Sequence, residues 1–132
     1  LQRLWKLTGE ERWEKAFRTA TEALIPLAEV SPPSHAYLLT AMLAESQPHR
    51  QVIIIAPPGN AEAEAVYKAL IRRFDPFTTV IWHDGGRGLK DEITMLEGYE
   101  VKTSFFAYVC ENFVCKKPVY SANDLLKELE YH

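Results

Sequence analysis

The chain has 132 residues, with 15 Lys and Arg against 18 Asp and Glu, which gives a formal net charge of −3. A chain of this length can bury enough surface to fold without a disulfide or a metal. Its mild acidity argues against nucleic-acid binding, and no apolar run approaches the roughly 18 residues of a membrane span.

The first 48 residues carry helical patterns throughout. Gly9 is expected to end a short first helix, because glycine readily adopts the left-handed conformation found at helix C-termini. A longer amphipathic helix follows, which Pro26 is expected to kink or end, and a third helix is predicted over residues 35–46. The apolar stripe of the longer helix consists of Trp13, Ala16, Phe17, Ala20, Leu24 and Leu27. The last two helices predict an antiparallel hairpin joined by a Pro-rich turn.

From residue 49 onward the sequence alternates between strand and helix patterns. The β-branched run 52–56 is typical of a strand buried on both faces. Asn60 is suited to cap the next helix, and Ser121 with Asp124 forms a capping box for the last one. The predicted order is β-α-β-α-β-β-α, with strands over 52–56, 78–82, 105–110 and 114–120. This order predicts an α/β domain with a parallel core sheet, of Rossmann-like or thioredoxin-like topology.

The loop after the second strand, residues 83–88, is the best candidate for a small-molecule site. Ligands of open α/β sheets bind beyond the carboxyl ends of the strands. The backbone N–H groups of Gly85, Gly86 and Gly88 could surround an anion that Arg87 pairs with. The loop matches neither the dinucleotide motif nor the Walker motif. A plain surface connection is therefore favoured over binding of a nucleotide or a sugar phosphate.

The histidines indicate no metal site. They are His35, His49, His83 and His132. No pair of them has metal-ligand spacing, and two cysteines are too few for a zinc site without distant histidines. His83 and Asp84 are neighbours at a strand end, where adjacent side chains point to different sides, so no catalytic dyad is expected. No cofactor is predicted either.

Two cysteines, Cys110 and Cys115, are separated by four residues. If residues 111–114 form the loop of a hairpin, the two sulfurs lie opposite one another and can form a disulfide. If the strand continues unbroken, the five-residue step places them on opposite faces. Cysteine is among the most buried residue types, which favours two inert core thiols, with a redox-active or structural pair as the alternative. The C-x-x-C spacing of thioredoxin-type redox centres is absent.

The cellular compartment is predicted from the same cysteines. Two of them are too few for a secreted disulfide scaffold, and no secretory leader is visible, so a cytoplasmic location is expected. The chain begins with Leu1 inside a helical pattern, and we therefore expect it to be a fragment of a longer protein.

The most distinctive segment is AYVCENFVC at residues 107–115, with Pro118 after it and residues 7–11 and Pro48 before it. Together these residues resemble the C-terminal end of the thioredoxin-domain-containing proteins of the YyaL and spermatogenesis-associated type. The resemblance implies that the parent protein has a thioredoxin-like domain, then an (α/α) toroid similar to six-hairpin glycosidases and sugar epimerases, then a C-terminal α/β portion.

The resemblance also implies a division of this chain. It places residues 1–48 in the last helices of the toroid and residues 49–132 in the α/β domain. It supplies no catalytic residue, because the toroid cleft and the thioredoxin-like cysteine motif lie outside these positions. Phe105 and Phe106 make the approach to the cysteine segment bulkier than the family pattern.

The functional hypothesis from the sequence is a non-catalytic C-terminal accessory domain that packs against the remaining domains of the same polypeptide. The parent protein could be a sugar-processing or a redox enzyme. The hairpin is expected to expose part of its apolar stripe, so the fragment is predicted to self-associate. The alternatives are a thiol-redox role of Cys110 and Cys115 and small-molecule binding at residues 83–88. Neither nucleic acid nor a membrane is expected as a partner.

Overall fold

A computed structural model describes residues 1–73 and 75–130, apart from the side chains at positions 87, 89 and 94. The chain divides into two compact units, Leu1–His49 and Arg50–His132. The α/β class is confirmed, since the described residues form six α-helices and one four-stranded mixed sheet, with a helical hairpin first. In the described part of the chain, no helix combines the length and the hydropathy that crossing a bilayer requires.

The first unit is helical. Its elements span Gln2–Thr8 (α1), Glu11–Val30 (α2), Pro32–His35 (a 3₁₀ turn) and Ala36–Glu45 (α3). As predicted, α1 ends at Gly9, which has a φ of 71° and donates its N–H to the Trp5 carbonyl. The helix α2 does not end at Pro26 but continues to Val30. Proline removes only one backbone donor, and the turn after it is completed by the Ser31 N–H, which donates to the Leu27 carbonyl.

The second unit has the predicted order of strands and helices. Its elements span Arg50–Ile55 (β1), Ala61–Ile71 (α4), Thr78–His83 (β2), Arg87–Glu92 (α5), Thr94–Leu96 (a 3₁₀ turn), Phe106–Glu111 (β3), Val114–Cys115 (β4) and Ala122–Glu130 (α6). Both predicted caps form. The Asn60 side chain accepts from the Ala63 N–H at 2.9 Å. The Ser121 hydroxyl accepts from the Asp124 N–H at 3.1 Å and donates to the Asp124 carboxylate at 2.7 Å.

The sheet is mixed, so the prediction of a parallel core sheet is wrong beyond its first two strands. The strand order is β2-β1-β3-β4, in which β1 and β2 are parallel, β3 is antiparallel to β1, and β4 is antiparallel to β3. The helix predicted around residues 89–99 is shorter than expected, Arg87–Glu92, and its length fits this change of direction. Its six residues span about 9 Å, whereas a crossover helix must return along a six-residue strand of about 20 Å.

The direction of β3 also separates the two topologies considered from the sequence. A Rossmann-like sheet is mostly parallel, and this sheet has only one parallel pair, β1 with β2. The Rossmann-like alternative is therefore excluded. The mixed order of strands is compatible with the thioredoxin-like alternative.

The central strand β1 is buried on both faces, as its β-branched composition predicts. On one face Val52 and Ile54 belong to an apolar core with side chains of α4 and α6. Because successive side chains of a strand alternate, Gln51, Ile53 and Ile55 point to the other face, where they are also buried. On that second face β2 contributes Ile81 and His83, both buried. The imidazole of His83 therefore lies inside the molecule, at the carboxyl end of β2.

Candidate functional site

A two-residue turn joins β3 to β4. Asn112 and Phe113 form it with positive φ angles of 49° and 67°, the backbone geometry of the type I′ turn that matches the twist of a hairpin. On either side of the turn, Glu111 lies opposite Val114. The next pair of opposed residues is Cys110 and Cys115. The loop thus has two residues instead of the four at 111–114 that were considered from the sequence, and it still places Cys110 opposite Cys115.

The hairpin register brings the two cysteine side chains into contact. The Lys116 N–H donates to the Val109 carbonyl at 3.0 Å, so the adjacent Cys110 and Cys115 occupy a non-hydrogen-bonded position, where opposed side chains are closest. Their sulfurs are joined in a disulfide. The hairpin alternative is therefore the one that forms, and the favoured interpretation of two separate core thiols is wrong.

The two sulfurs differ in exposure. Cys110 is fully buried on β3, which lies between β1 and β4. Cys115 is only partly buried, and it lies on β4, the short strand at the end of the sheet order. Of the two cysteines, only Cys110 is thus fully removed from solvent.

An aromatic cluster lies beside the disulfide. The Tyr99 hydroxyl donates to Cys115 Sγ at 4.0 Å. The Tyr99 and Tyr108 rings are 4.9 Å apart between centroids, and Phe106 contacts Tyr108 edge-on at 6.1 Å. Burial raises the pKa of Tyr99 above its ordinary value, and the neighbouring Tyr108 adds to the effect. Tyr99 therefore keeps its proton at neutral pH and acts as a hydrogen-bond donor to the sulfur.

The imidazole of His83 is close to the backbone of the same tyrosine. Its side chain is fully buried, and neither ring nitrogen has a hydrogen-bond partner among the described residues. Burial lowers the pKa of His83, and the charge of Lys90 lowers it further. The nearby Tyr99 backbone and the Asp84 carboxylate oppose this shift. The ring is thus held neutral.

Asp84 makes no hydrogen bond to this imidazole. It is exposed, and its Oδ1 accepts from the Gly86 N–H at 2.8 Å. His83 and Asp84 therefore form no hydrogen-bonded pair.

The glycine loop is shorter than predicted. His83 belongs to β2 and α5 begins at Arg87, so only residues 84–86 form the loop. The N–H of Gly86 is already bonded to Asp84, and Gly88 lies inside α5. The side chain of Arg87 lies outside the described residues. This geometry does not favour the anion-binding alternative for Gly85, Gly86, Arg87 and Gly88.

Within residues 1–73 and 75–130, no group of three or more His, Cys, Asp or Glu side chains is placed to hold a metal ion. His132 lies outside the described residues. The sequence singled out Cys110 and Cys115, but it gave no functional signal for Tyr99, which lies 16 residues before Cys115 at the end of a helix predicted around residues 89–99.

Comparison with known proteins identifies no relative. No protein-family model, curated protein or solved structure gives a significant match to the chain. The resemblance to the YyaL and spermatogenesis-associated type therefore stays a prediction, and function has to be argued from the geometry.

Proposed function

We propose that this chain is a non-catalytic accessory domain that packs, through its helical unit, against other parts of a larger polypeptide. The observation that carries the proposal is the apolar surface of α2 and α3. Leu27 and Val30 on α2 are 55% and 86% exposed, and Tyr37 on α3 is 95% exposed. Large exposed apolar side chains that gather on one part of a folded protein indicate an interaction site.

The distribution of exposed apolar side chains supports the same proposal. Among the described residues, eight of the twelve large apolar side chains that are exposed lie in the helical unit. They are Leu1, Leu4, Leu24, Leu27, Val30, Tyr37, Leu39 and Leu43. By contrast, the largest apolar core, which includes Val52 and Leu125, lies wholly within the α/β unit. The helical unit is therefore the part of the chain that a partner surface would cover.

The parent polypeptide that we propose is a cytoplasmic protein of the YyaL and spermatogenesis-associated type, in which residues 1–48 belong to the end of the toroid. The order of elements and the segment around Cys110 and Cys115 support this assignment. The formal charge of −3 argues against nucleic acid as a partner.

The test of the accessory role is the oligomeric state of the isolated chain. We expect concentration-dependent self-association in size-exclusion chromatography with light scattering, because uncovered apolar surfaces bind one another. A Leu27→Gln, Leu43→Gln double variant is expected to shift the chain toward monomer. The matched control is Val114→Thr, an exposed apolar position in the α/β unit, which should leave association unchanged. A chain that is monomeric at all concentrations would contradict the proposal.

A second candidate function is a thiol–disulfide role of Cys110 and Cys115. It is favoured by the position of their disulfide at the edge of the sheet. Closing so short a loop stabilises the fold by only about 2 kcal/mol in the chain-entropy treatment. Neither cysteine belongs to the apolar core between the sheet and the helices α4 and α6. In a cytoplasmic protein, moreover, a disulfide is usually transient and either catalytic or redox-sensing.

The thiol–disulfide role predicts that the bond opens without unfolding. Treatment with dithiothreitol under native conditions should release two titratable thiols while the near-ultraviolet circular dichroism of the core aromatic residues is retained. A disulfide that resists native reduction, or whose reduction unfolds the α/β unit, would rule this function out.

A further inference from the structure

We propose that Cys115 is the sulfur that exchanges with an external dithiol or disulfide, and that Cys110 is the buried partner that resolves the exchange. The inference deepens the thiol–disulfide role proposed above and rests on it. The two sulfurs of the disulfide are given different roles because Cys110 and Cys115 occupy different positions in the hairpin.

The first step of the argument is access. In thiol–disulfide exchange, a thiolate must reach the sulfur that it attacks. Cys110 is fully buried on β3, between two neighbouring strands, so an external thiolate cannot approach its sulfur. Cys115 is partly exposed on the two-residue strand β4. Exchange therefore begins at Cys115.

The second step is the location of the thiolate in the reduced protein. The Tyr99 hydroxyl lies 4.0 Å from Cys115 Sγ, and a hydrogen-bond donor favours the charged form of a thiol. Burial has the opposite effect and disfavours a thiolate at Cys110. The hydrogen-bond donor thus lies beside the more exposed cysteine, where it can stabilise the nucleophilic thiolate. Tyr99 is a positioning residue in this scheme, since it acts on the sulfur and not on the external partner.

The reaction balances in both directions. In reduction, one thiolate of a dithiol forms a bond to Cys115 Sγ, the bond between Cys115 and Cys110 breaks, and Cys110 leaves as a thiolate that takes up a proton. The second thiol of the dithiol loses its proton and attacks the mixed disulfide, which releases the Cys115 thiolate beside Tyr99. Two electrons pass from the dithiol, which ends as a disulfide, to the cysteine pair.

In the reverse direction the roles of the two cysteines are unchanged. The Cys115 thiolate attacks the disulfide of an external molecule and forms a mixed disulfide with one of its sulfurs. Cys110 loses its proton and attacks Cys115, so that the internal disulfide re-forms and the external molecule leaves as a dithiol.

The first experiment uses the unaltered protein. The chain is reduced with dithiothreitol, freed of reductant and treated with limiting iodoacetamide, and the labelled cysteine is identified by peptide mass. We expect Cys115 to be labelled at least about tenfold faster than Cys110, because Cys110 is fully buried and the Tyr99 hydroxyl lies beside Cys115 Sγ. Equal rates, or faster labelling of Cys110, would overturn the assignment.

The second experiment tests Tyr99 through the pH profile of Cys115 labelling. The Tyr99→Phe variant keeps the ring but loses the donor, so the apparent pKa of the Cys115 thiol should rise and labelling at pH 7.5 should slow about threefold. The matched control is Tyr108→Phe, which removes a hydroxyl from the same cluster but not from the sulfur. A profile that is unchanged in Tyr99→Phe, or shifted equally in both variants, would refute the positioning role.

The thiol–disulfide function and the assignment of the two sulfurs can be refuted separately. If dithiothreitol cannot open the bond in the folded chain, the thiol–disulfide function itself is refuted. If the bond opens with the fold intact but the label goes to Cys110, only the assignment of the two sulfurs is wrong.

Discussion

His83 shows what a single residue contributes to the pH dependence of this protein. The folded chain holds the buried ring neutral, with a pKa below the ordinary value of 6.5. The unfolded chain, in contact with water, protonates the ring near that ordinary value. Below about pH 6.5 the unfolded state therefore binds more protons than the folded state, and folding stability decreases as the pH falls. His83 therefore makes its full contribution to folding stability above about pH 6.5. This contribution is lost as the pH falls toward the lower pKa of the folded state.

This shift predicts that the free energy of unfolding, measured with urea, is larger at pH 7.5 than at pH 5.5. A His83→Leu variant should lose part of that difference, because an apolar side chain at this buried position has no proton to bind. The matched control is His35→Gln, which changes a histidine whose Nδ1 contacts the Ser31 carbonyl at 3.0 Å. Identical pH dependence in His83→Leu and the unaltered chain would contradict the interpretation.

Among the elements, the β3–β4 hairpin combines a favourable turn geometry with an unfavourable residue. Both turn positions have positive φ, and such turns prefer Asn followed by Gly. Asn112 fits its position, whereas Phe113 carries a Cβ at a φ of 67°, where an L-residue is disfavoured by about 1–2 kcal/mol. The Phe113 side chain is 43% exposed and so recovers only part of this cost through packing.

We therefore expect Phe113→Gly to increase the free energy of unfolding by about 1 kcal/mol. Phe113→Ala serves as the control, because it removes the same aromatic ring but keeps the Cβ and hence the strain. Urea denaturation of the oxidised proteins measures the difference between the two variants. If alanine stabilises as much as glycine, or glycine destabilises, the backbone at position 113 is not strained.

For the whole molecule, the division into Leu1–His49 and Arg50–His132 has a consequence for proteolysis. Ser46, Gln47 and Pro48 are exposed and follow the end of α3, whereas β1 is buried from Gln51 to Ile55. Proteases cleave exposed segments between compact units in preference to regular elements.

Limited digestion with proteinase K is expected to cut first between residues 45 and 50. Mass spectrometry of the early fragments identifies the site. The loops at residues 57–59 and 84–86 are also exposed or partly exposed, and they provide the internal comparison. A first cut inside α2 or inside the sheet would contradict the division into two units.

Local signals in the sequence predicted local structure correctly. Helices end at Gly9 and begin at Asn60 and Ser121. Each of these caps bonds to a group within four residues along the chain, so a local sequence pattern is enough to predict it. The direction of β3 was not predicted, because the periodicity of a segment predicts its type of element and not the direction in which it joins the sheet.

The candidate site was predictable only in part, for a related reason. Cys110 and Cys115 are near in sequence, so a hairpin between them could be considered from spacing alone. Tyr99 and His83 reach the site through tertiary folding, and no pattern in residues 97–105 marks the hydroxyl that contacts Cys115. The burial of His83 follows from the extension of β2 by one residue beyond its predicted end.

The closeness of Cys110 and Cys115 along the chain also bears on the order of folding events. The β3–β4 hairpin closes over a few residues, whereas β1 must meet β3 across some fifty residues of intervening chain, and the entropy of closing a loop grows with its length. Hairpins form within about 1–10 μs, faster than most pairing between distant strands. Oxidation can thus set the register of β3 and β4 in a chain that is otherwise unfolded, and β1 then docks onto an edge that is already ordered.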